Sequence, residues 1–398
     1  MRYGVNYTPS TGWFYHWLDF RPDDLARDLD TVAELGVDHI RIFPLWPVIQ
    51  PHRTLIRERA LADVETLIEV AGQRGLDVSV DGLQGHLSSF DFLPAWLSTW
   101  HRRNLFTDPT VIESTAAYLR RLAEACSQHP NVFALTIGNE VNQFTGDLHP
   151  QPFPATSEQA GLWAQTMIDA LHEGAPALPA LQACYDATWY NPTQPFTPTQ
   201  AATIGDITAV HSWVFNGTAQ LYGADSFPTQ AHARYLVELA RAFQVDPHRP
   251  VWLQEVGVPR NVIAPEQADA FMEATFANLN GAPDLFGITW WASHDVDPAL
   301  EDFPPLEYSL GLIDQAGKVK PEGRKFAALI DHARRTASAA AEPRPEPPTE
   351  DPRPILPLDL DRVGGRTGLA PGGVFWTMYM RQARTAHPRI VIEGAPHA

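Results

Sequence analysis

The sequence alternates short apolar runs with longer amphipathic segments, and this alternation continues to about residue 335. The apolar runs are typical of buried parallel strands. They comprise Tyr3–Tyr7, Val37–Phe43, Leu76–Val80, Val132–Ile137, Leu178–Tyr185, Ile207–Trp213, Val251–Val258 and Phe286–Trp291. Between them apolar residues recur every three or four positions, as in Leu25, Leu29 and Val32, which predicts helices with one buried face. This order predicts an α/β fold, a (β/α)8 TIM barrel with enlarged loops.

A doubly wound open sheet is the competing fold for such an alternation. That fold has a glycine-rich phosphate-binding loop directly after its first strand, and no such loop follows Tyr7. Helix start signals agree with separate crossover helices, because Pro22 opens one helix and Thr156 and Gln159 have capping-box spacing before another. We therefore predict one barrel domain over residues 1–337.

The sequence changes character after the barrel. Residues 338–357 are so rich in proline that no helix or central strand can form, which predicts an extended linker. In residues 358–398 we predict two short strands, Val374–Tyr379 and Arg389–Glu393. A segment of roughly 40 residues cannot build its own core. We expect this extension to pack on the barrel or on a neighbouring subunit, the latter giving a homo-oligomer.

The composition narrows the classes of partner. The formal net charge is −18, which argues against nucleic acid and anionic membranes and fits a neutral or cationic small ligand. Solubility alone would explain the charge equally well. Cys126 and Cys184 are too few for a disulfide framework, and we expect both to be buried. No apolar run is long enough to span a membrane, and no signal peptide precedes the first strand, so we expect a soluble, cytoplasmic protein.

Two predicted strands end in a carboxylate. Glu140 follows the fourth strand directly after Asn139, and Glu255 lies near the end of the seventh. The carboxyl ends of parallel barrel strands form the mouth at which catalytic groups gather. An isolated glutamate there would most often be a structural ion-pair partner. Two glutamates at matching strand ends suggest instead the paired-carboxylate chemistry of glycoside hydrolysis.

Further polar and aromatic residues fall at the same predicted rim. They are Asn6, Arg41, Gln84, His86, Asn139, Asn142, His211, Trp213, Trp290 and Trp291. Each alone has a structural explanation, since single arginines are usually ion-paired, single histidines satisfied, and tryptophans buried in the core. Their convergence on one rim indicates a sugar site, where amides, histidines and arginine bind hydroxyls and tryptophan stacks on the apolar sugar face.

Other chemistries receive less support from the sequence. His86, His211 and His294 suggest a metal site, but neither an HxH nor an HExxH spacing is present. We expect no metal and no cofactor, and retain a metal-dependent barrel hydrolase as a weaker alternative. The alternative of another class is a carbohydrate-binding barrel without catalysis, in which the carboxylates only bind hydroxyls.

The ordered set of rim residues resembles the retaining glycoside hydrolases of clan A, family 5 in particular, over about residues 1 to 335. The resemblance implies that Glu140 is the acid/base and Glu255 the nucleophile. It also matches Arg41 on the second strand, His86 after the third, and Trp290 or Trp291 on the eighth. The sixth strand of that family carries His-x-Tyr. Here it reads His211-Ser-Trp213, so the tyrosine hydroxyl that orients the nucleophile is absent. Tyr185 and Tyr222 are candidates to replace it.

A finer resemblance is to a bacterial subgroup of family 5. Gly4–Ser10, Arg41–Pro47, Leu83–Phe92 and Trp100–Asp108 are similar to exo-acting β-mannosidases that cleave mannose β-linked to N-acetylglucosamine. The resemblance implies a small oligosaccharide as substrate. The alternatives are a β-glucosidase, or an endo-acting mannanase or glucanase.

Aromatic loops after the first and third predicted strands bear on exo action. Trp13–Trp17 and the loop with Phe90, Phe92, Trp96 and Trp100 either wall off one side of the site or merely pack the loops onto the barrel. A wall would leave room for one terminal sugar.

Overall fold

The computed structural model describes residues 1–84, 86–146, 149–339 and 351–394. Its strands are β1 Arg2–Asn6, β2 His39–Ile42, β3 Asp77–Gln84, β4 Val132–Asn139, β5 Ala180–Leu181, β6 Thr208–Ser212, β7 Val251–Val256, β8 Leu285–Trp290, β9 Ile355–Leu358 and β10 Arg389–Ile392. Its helices are α1 Pro22–Glu34, α2 Trp46–Ile49, α3 Glu58–Gly72, α4 Pro109–Cys126, α5 Ser157–Gly174, α6 Ala187–Tyr190, α7 Pro198–Thr203, α8 Thr218–Tyr222, α9 Phe227–Gln230, α10 His232–Ala242, α11 Ala268–Leu279, α12 Pro321–Ala339 and α13 Val374–Ala383.

The first eight strands form one parallel sheet in the order β5-β4-β3-β2-β1-β8-β7-β6, which curls nearly into a closed barrel with helices around it. The TIM-barrel prediction is confirmed. The predicted fifth strand is much shorter than expected, since only Ala180 and Leu181 pair with β4. The register sets Asn6 beside Arg41 and His211 beside Glu255, so side chains far apart in sequence meet at the mouth.

Helix starts follow the sequence signals. The Asp108 carboxylate accepts hydrogen bonds from the backbone N–H groups of Thr110 and Val111 at the start of α4. Thr156 and Gln159 form the expected capping box at α5. Each cap satisfies backbone donors that the first helical turn leaves free, which is why these short sequence patterns locate helix ends well.

The lower end of the barrel is filled with aromatic side chains. The rings of Phe133, Trp252 and Phe286 lie 5.5 to 6.0 Å apart between centroids, and Trp252 and the fully buried His39 both hydrogen-bond Thr289 Oγ1 at 2.8 Å. This packed layer fills the lower end of the barrel, and the carboxyl ends of the strands form the opposite end, where ligands bind in this fold.

The C-terminal extension packs against the outside of the barrel. The hydroxyl of Tyr235 in α10 donates to the backbone O of Leu369 at 2.7 Å, and Trp376 stacks on Tyr222 with centroids 5.0 Å apart. β9 and β10 pair in parallel. The predicted strand at Val374–Tyr379 is wrong, because this segment forms α13: its aromatic residues suit a strand by type, but their helical spacing buries them together on one face.

The predicted linker, residues 338–357, lies mostly outside the described residues. At its ends, α12 continues to Ala339 and β9 begins at Ile355, so the described part of this range is more regular than expected. Within the described residues, no helix has the length and apolarity needed to cross a membrane. Cys126 and Cys184 are both buried and unpaired, as predicted.

Candidate active site

The two glutamates lie together at the mouth, on opposite sides of the barrel axis. Glu140 directly follows β4, and its left-handed backbone (φ 46°, ψ 35°) breaks the strand and starts a short 3-10 helix. A non-glycine residue in this conformation is uncommon and costs some free energy, which suggests a functional constraint. Glu255 lies within β7, where the sheet fixes its direction. Both side chains are nearly buried, with residue exposures of 7% and 3%.

Glu255 is held by two donors that have no acceptor capacity. Arg41 Nη1 donates to its Oε1 at 2.8 Å, and the indole Nε1–H of Trp213 donates to its Oε2 at 3.0 Å. Trp213 therefore occupies the position of the tyrosine that is missing from the sixth strand. Neither Tyr185 nor Tyr222 is needed for that contact, and Tyr222 lies instead against Trp376.

Glu140 is held by a group that can exchange a proton. His211 Nδ1 lies 2.6 Å from Glu140 Oε1, and the Gln143 amide donates to Oε2. The other ring nitrogen, His211 Nε2, lies 3.2 Å from Gln254 Oε1, while the Gln254 amide nitrogen donates to Thr136 Oγ1 at 3.3 Å. With this orientation of Gln254, Nε2 carries a hydrogen and Nδ1 is free to share a proton with Glu140.

His211 also links the two carboxylates. Its Nδ1 is 3.4 Å from Glu255 Oε2, and oxygens of both glutamates and a ring nitrogen of His211 all lie within 4.8 Å of one another. Such a cluster could hold a small cation. The Arg41 guanidinium already lies against Glu255, so a cation there would meet like charge.

The titration of these groups is interdependent. Burial works to raise the pKa of Glu140, but hydrogen bonding and charge from His211 outweigh it and leave that pKa lowered. Burial and the charge of Glu140 raise the pKa of Glu255 against the opposing effects of His211 and Arg41. Burial works to lower the pKa of His211, yet the two carboxylates raise it. One proton therefore remains in the cluster to higher pH than free histidine would hold it.

Arg41 is a buried side chain whose hydrogen bonds hold several residues of the site in place. Asp81 accepts from its Nε at 2.9 Å and its Nη2 at 2.6 Å, and Arg41 also donates to Asn6 Oδ1 at 3.2 Å and Asn139 Oδ1 at 2.7 Å. All its donors are thus used within the protein, so Arg41 positions the residues around it. Contact of Arg41 and Asn6 with a sugar stays a prediction. Sequence reasoning missed Asp81, although a buried arginine needs a counter-charge and Asp81 ends the apolar part of β3.

Three more residues that are predicted to contact sugar have partners within the protein. Gln84 accepts from the Trp46 backbone N–H at 3.0 Å and is fully buried. Asn142 accepts from the Tyr185 backbone N–H at 3.0 Å and holds the chain after β5. The Trp290 ring packs on Phe326 of α12, with centroids 5.4 Å apart, on the outer side of β8. Each of these side chains has a partner within the protein, and its contact with sugar stays a prediction.

Asn139, His86 and Trp291 remain at the mouth. Asn139 Nδ2 donates one hydrogen to the backbone O of His86 at 2.6 Å, and its second hydrogen has no partner among the residues that the structure describes. The His86 ring is half-buried, 3.7 Å from Asp91. Trp291 packs edge-on against Phe43 and Trp213, with centroids 5.6 and 6.5 Å apart. The peptide bond after Trp291 is cis.

Gly257 lets Trp213 and Trp291 approach closely beneath the mouth. A Cβ at this position would lie 2.7 Å from the Trp291 backbone O and 3.1 Å from the Trp213 ring. No side chain fits there without moving one of the two tryptophans.

Two carboxyl groups that sequence reasoning missed flank the pair. Asp186, after β5, is buried, accepts from Asn216 at 3.1 Å and from the Tyr190 hydroxyl at 3.3 Å, and has its pKa raised to about 7, by burial first and then by Glu140. Glu307, in the long loop after β8, accepts from Ser88 at 2.8 Å. Both lie in irregular loops, where no strand-end pattern marks them.

The aromatic residues of the loops were expected either to wall off one side of the site or to pack the loops onto the barrel. Trp17 Nε1 and Trp96 Nε1 donate to backbone oxygens at 2.9 and 3.0 Å, and both rings are buried, so these residues pack the loops. Trp13 forms a cluster with Phe90 and Phe303, with centroids 4.6 to 5.3 Å apart, where three loops meet. Trp100 is 95% exposed.

The fold and the paired carboxylates are those of a TIM-barrel glycoside hydrolase. A scan against family profiles and a search of curated proteins give no match. Solved structures match over almost the whole chain. A GH5_18 protein from Streptomyces cattleya in complex with Manβ1-4GlcNAc is 54% identical, with a TM-score of 0.92 over 98% of this chain and 94% of that one.

A GH5_18 protein from Bifidobacterium longum subsp. longum ATCC 55813, in complex with the same disaccharide, is 43% identical, with a TM-score of 0.92 over 99% of this chain and 91% of that one. The chain belongs to glycoside hydrolase family 5, subfamily 18 (GH5_18). The exo-β-1,4-mannosidase Op5Man5 from Opitutaceae bacterium strain TAV5, at 24% identity and a TM-score of 0.79 over 100% of this chain and 70% of that one, shares the fold. The predicted family is confirmed.

Proposed function

We propose that the protein is a retaining exo-β-mannosidase that hydrolyses mannosyl-β-1,4-N-acetylglucosamine, with Glu255 as nucleophile and Glu140 as acid/base. The observation that carries the assignment of roles is the difference in hydrogen-bond partners. Both oxygens of Glu255 accept from Arg41 and Trp213, which can only donate, so a proton on Glu255 would displace a donor. Glu140 faces His211 Nδ1, with which it can share a proton.

The raised pKa of Glu255 taken alone would favour the opposite assignment, because a catalytic acid needs a raised pKa. The hydrogen bonds support the assignment given above, because Glu255 faces two groups that can only donate, whereas Glu140 faces a ring nitrogen that can exchange a proton. One oxygen of each glutamate lies within 4.8 Å of the other, which supports retention, because the carboxyl groups of inverting pairs stand about 6.5–9.5 Å apart to admit a water.

The reaction then proceeds in two steps. Glu255 attacks the anomeric carbon while the bond to the leaving oxygen breaks, and Glu140 gives its proton to that oxygen. Water next attacks the glycosyl-enzyme, Glu140 takes a proton from it, and the bond from Glu255 to the sugar breaks. His211 lies within reach of both glutamates and stabilises whichever is charged.

We assign sugar contacts to the residues left at the mouth. The second amide hydrogen of Asn139 is available to the hydroxyl next to the reacting carbon, where transition-state contacts are strongest. His86 supplies a further hydrogen bond, and Trp291 forms the floor of the cleavage subsite. If Asn139→Ala weakens binding without slowing the chemical step, this role is wrong.

The substrate assignment rests on the GH5_18 relatives. Two of them were crystallised with Manβ1-4GlcNAc, in each case as a variant with a glutamate replaced by alanine, which is the usual way to trap a substrate. The cluster of Trp13, Phe90 and Phe303 supports exo action, because bulky side chains on one side leave space for a single terminal sugar.

A screen of aryl β-mannoside, β-glucoside and β-galactoside together with Manβ1-4GlcNAc tests the proposal. We expect the mannosides to be preferred, mannose to be the first product, and its β-anomer to form first in NMR spectra. Glu255→Gln should bind the disaccharide without cleaving it. Preference for glucoside, or release of internal oligosaccharides from mannan, would contradict the assignment, and unchanged activity of Glu255→Gln would remove its catalytic role.

We further propose a cytoplasmic location and self-association through the C-terminal extension, both from the sequence. Cell fractionation tests the first. Light scattering of the full chain and of a Trp376→Ala variant tests the second, although the stacking of Trp376 on Tyr222 within one chain already uses part of that surface.

A further inference from the structure

Glu307 is a carboxyl group at the mouth for which the two-step reaction gives no role. It begins a short 3-10 helix, Glu307–Ser309, in the loop that follows β8. Ser88 Oγ, in the loop after β3, donates to its Oε2 at 2.8 Å. No ion pair involves Glu307 within the described parts of the chain. A half-buried carboxyl group that is not needed for an ion pair retains acceptor capacity for a ligand.

The surroundings place Glu307 on the nucleophile side of the pair. Burial first, and then the charge of Glu255, raise its pKa to about 7 against the lowering effects of Ser88, His86 and Trp291. The groups that influence Glu307 most strongly therefore include the nucleophile and the two residues assigned to the cleavage subsite. Asp186, in contrast, is influenced by Glu140 and His211.

The hydrogen bond from Ser88, which follows His86 by two residues, also holds Glu307 on the His86 side of the mouth and so orients the site. Glu140 protonates the leaving oxygen, so the leaving sugar lies on the side of Glu140 and Asp186. Glu307, beside Glu255, His86 and Trp291, then lies on the side of the terminal sugar.

The loops that carry Ser88 and Glu307 are held in place by aromatic packing. Trp13, Phe90 and Phe303 pack together behind the loops that carry Ser88 and Glu307. Ser88 itself has a left-handed backbone, φ 49°, within the tight turn between Leu87 and Phe90. A strained turn held by an aromatic cluster fixes Ser88 Oγ, and with it the Glu307 carboxyl group, in one direction.

Building on the proposed function, we propose that Glu307 binds hydroxyl groups of the terminal mannosyl unit on the side away from the leaving group, and so determines specificity for a non-reducing end. A carboxylate accepts hydrogen bonds from two neighbouring sugar hydroxyls at once, which an extended polymer with substituted hydroxyls cannot offer. The charge of Glu307 and the apolar wall behind it would then act together, one by binding the terminal sugar and one by excluding a further sugar.

A comparison of deoxygenated substrates tests the proposal. Aryl β-mannosides lacking the hydroxyl at C3, C4 or C6 would be hydrolysed by the wild type and by Glu307→Ala. An activated dinitrophenyl leaving group removes the need for acid catalysis, so the comparison is independent of Glu140. We expect the wild type to lose about 10- to 100-fold in kcat/KM for at least one deoxy sugar, and Glu307→Ala to lose less than about 2-fold at that position.

The control is Glu301→Gln, an exposed glutamate of the same loop, which should keep the wild-type pattern. Glu307→Gln keeps the size of the side chain and serves if Glu307→Ala is too unstable to purify. Equal losses for wild type and variant at all three positions would overturn the proposal. If the wild type prefers another glycoside, the proposed substrate is wrong, and the deoxy series of that sugar still decides the role of Glu307.

Discussion

The two glutamates at the mouth of the barrel have different kinds of hydrogen-bond partner. On one side, Arg41 and Trp213 hold Glu255 with donors only, at 2.8 and 3.0 Å, and Asp81 fixes the guanidinium. On the other side, Glu140 is bound by a histidine at 2.6 Å that can accept or donate. A nucleophile must stay ionised and aimed, whereas an acid/base must lose and regain a proton. The hydrogen-bond partners, more than the carboxylates themselves, distinguish the two roles that we propose.

The largest effect on activity should follow from substituting Arg41, which holds Glu255 in place. Arg41→Lys keeps a positive charge but loses the planar fork that serves Asp81, Glu255 and Asn139 together. We expect kcat/KM to fall by about 100- to 1,000-fold with little change in fold by circular dichroism. Arg27→Lys, at an exposed pair with Asp24, is the control and should have wild-type activity. Full activity of Arg41→Lys would show that the fork is unnecessary.

A smaller effect should follow from removing one donor of Glu255. Trp213→Phe deletes the indole N–H, and we expect kcat to fall by about 10- to 100-fold. Trp213→Tyr restores a hydrogen-bond donor and should recover part of the loss. Steady-state kinetics of the two variants provide the comparison. If Phe and Tyr at this position perform equally, the hydrogen bond from Trp213 is not what orients Glu255.

The environment of Glu140 should affect the pH dependence of kcat/KM, and Asp186 is the residue that tests this. Asp186, with a pKa raised to about 7 by burial and by Glu140, gains negative charge as the pH rises through that value. The negative charge of Asp186 then opposes loss of the proton that Glu140 and His211 share. In Asp186→Asn the basic limb of kcat/KM should therefore move to lower pH, with about 3- to 10-fold less activity at pH 8 and little change at pH 5.5. Asp361→Asn, on the surface, is the control. A basic limb that stays in place would mean that Asp186 does not influence Glu140.

The smallest kinetic effect should come from the extension that supports the Glu140 half from outside. Arg366 donates to the backbone oxygens of Thr188 at 2.7 Å and Gln194 at 2.9 Å, and Gln194 in turn contacts Asn142 and Thr145 behind Glu140. Arg366→Met should cost about 2–3 kcal/mol in the free energy of unfolding and lower kcat/KM by about 2- to 5-fold. Arg362→Met, exposed in the same extension, should change neither. Denaturant unfolding without a loss of stability would contradict the support role.

The barrel and the two glutamates at its mouth could be predicted from the sequence, because strand-end position is set by local apolar patterning that the sheet preserves. Glu140 and Glu255 are examples. What could not be predicted is which rim side chains face the opening. Gln84, Asn142 and Trp290 have suitable types, but each has a partner within the protein that the sequence pattern does not reveal.

Residues in irregular loops escaped prediction for a different reason. Asp186 and Glu307 have no periodic pattern around them, and only the folded loops bring them to the mouth. The aromatic segment of α13 was assigned to a strand by residue type, and packing against α10 and α8 decided otherwise. Trp213 could have been weighed as a donor from the sequence, since its indole N–H can take the place of a tyrosine hydroxyl.

Azide rescue of matched variants tests the division of roles most directly. With a dinitrophenyl β-mannoside and azide, Glu140→Ala should recover activity and form the β-mannosyl azide, because the glycosyl-enzyme on Glu255 still forms and azide replaces the activated water. Glu255→Ala should not recover in this way, and any azide product should have the α configuration, because azide can only attack the substrate directly. NMR spectra of the products distinguish the two. A β-azide from Glu255→Ala and an α-azide from Glu140→Ala would contradict the account and exchange the roles.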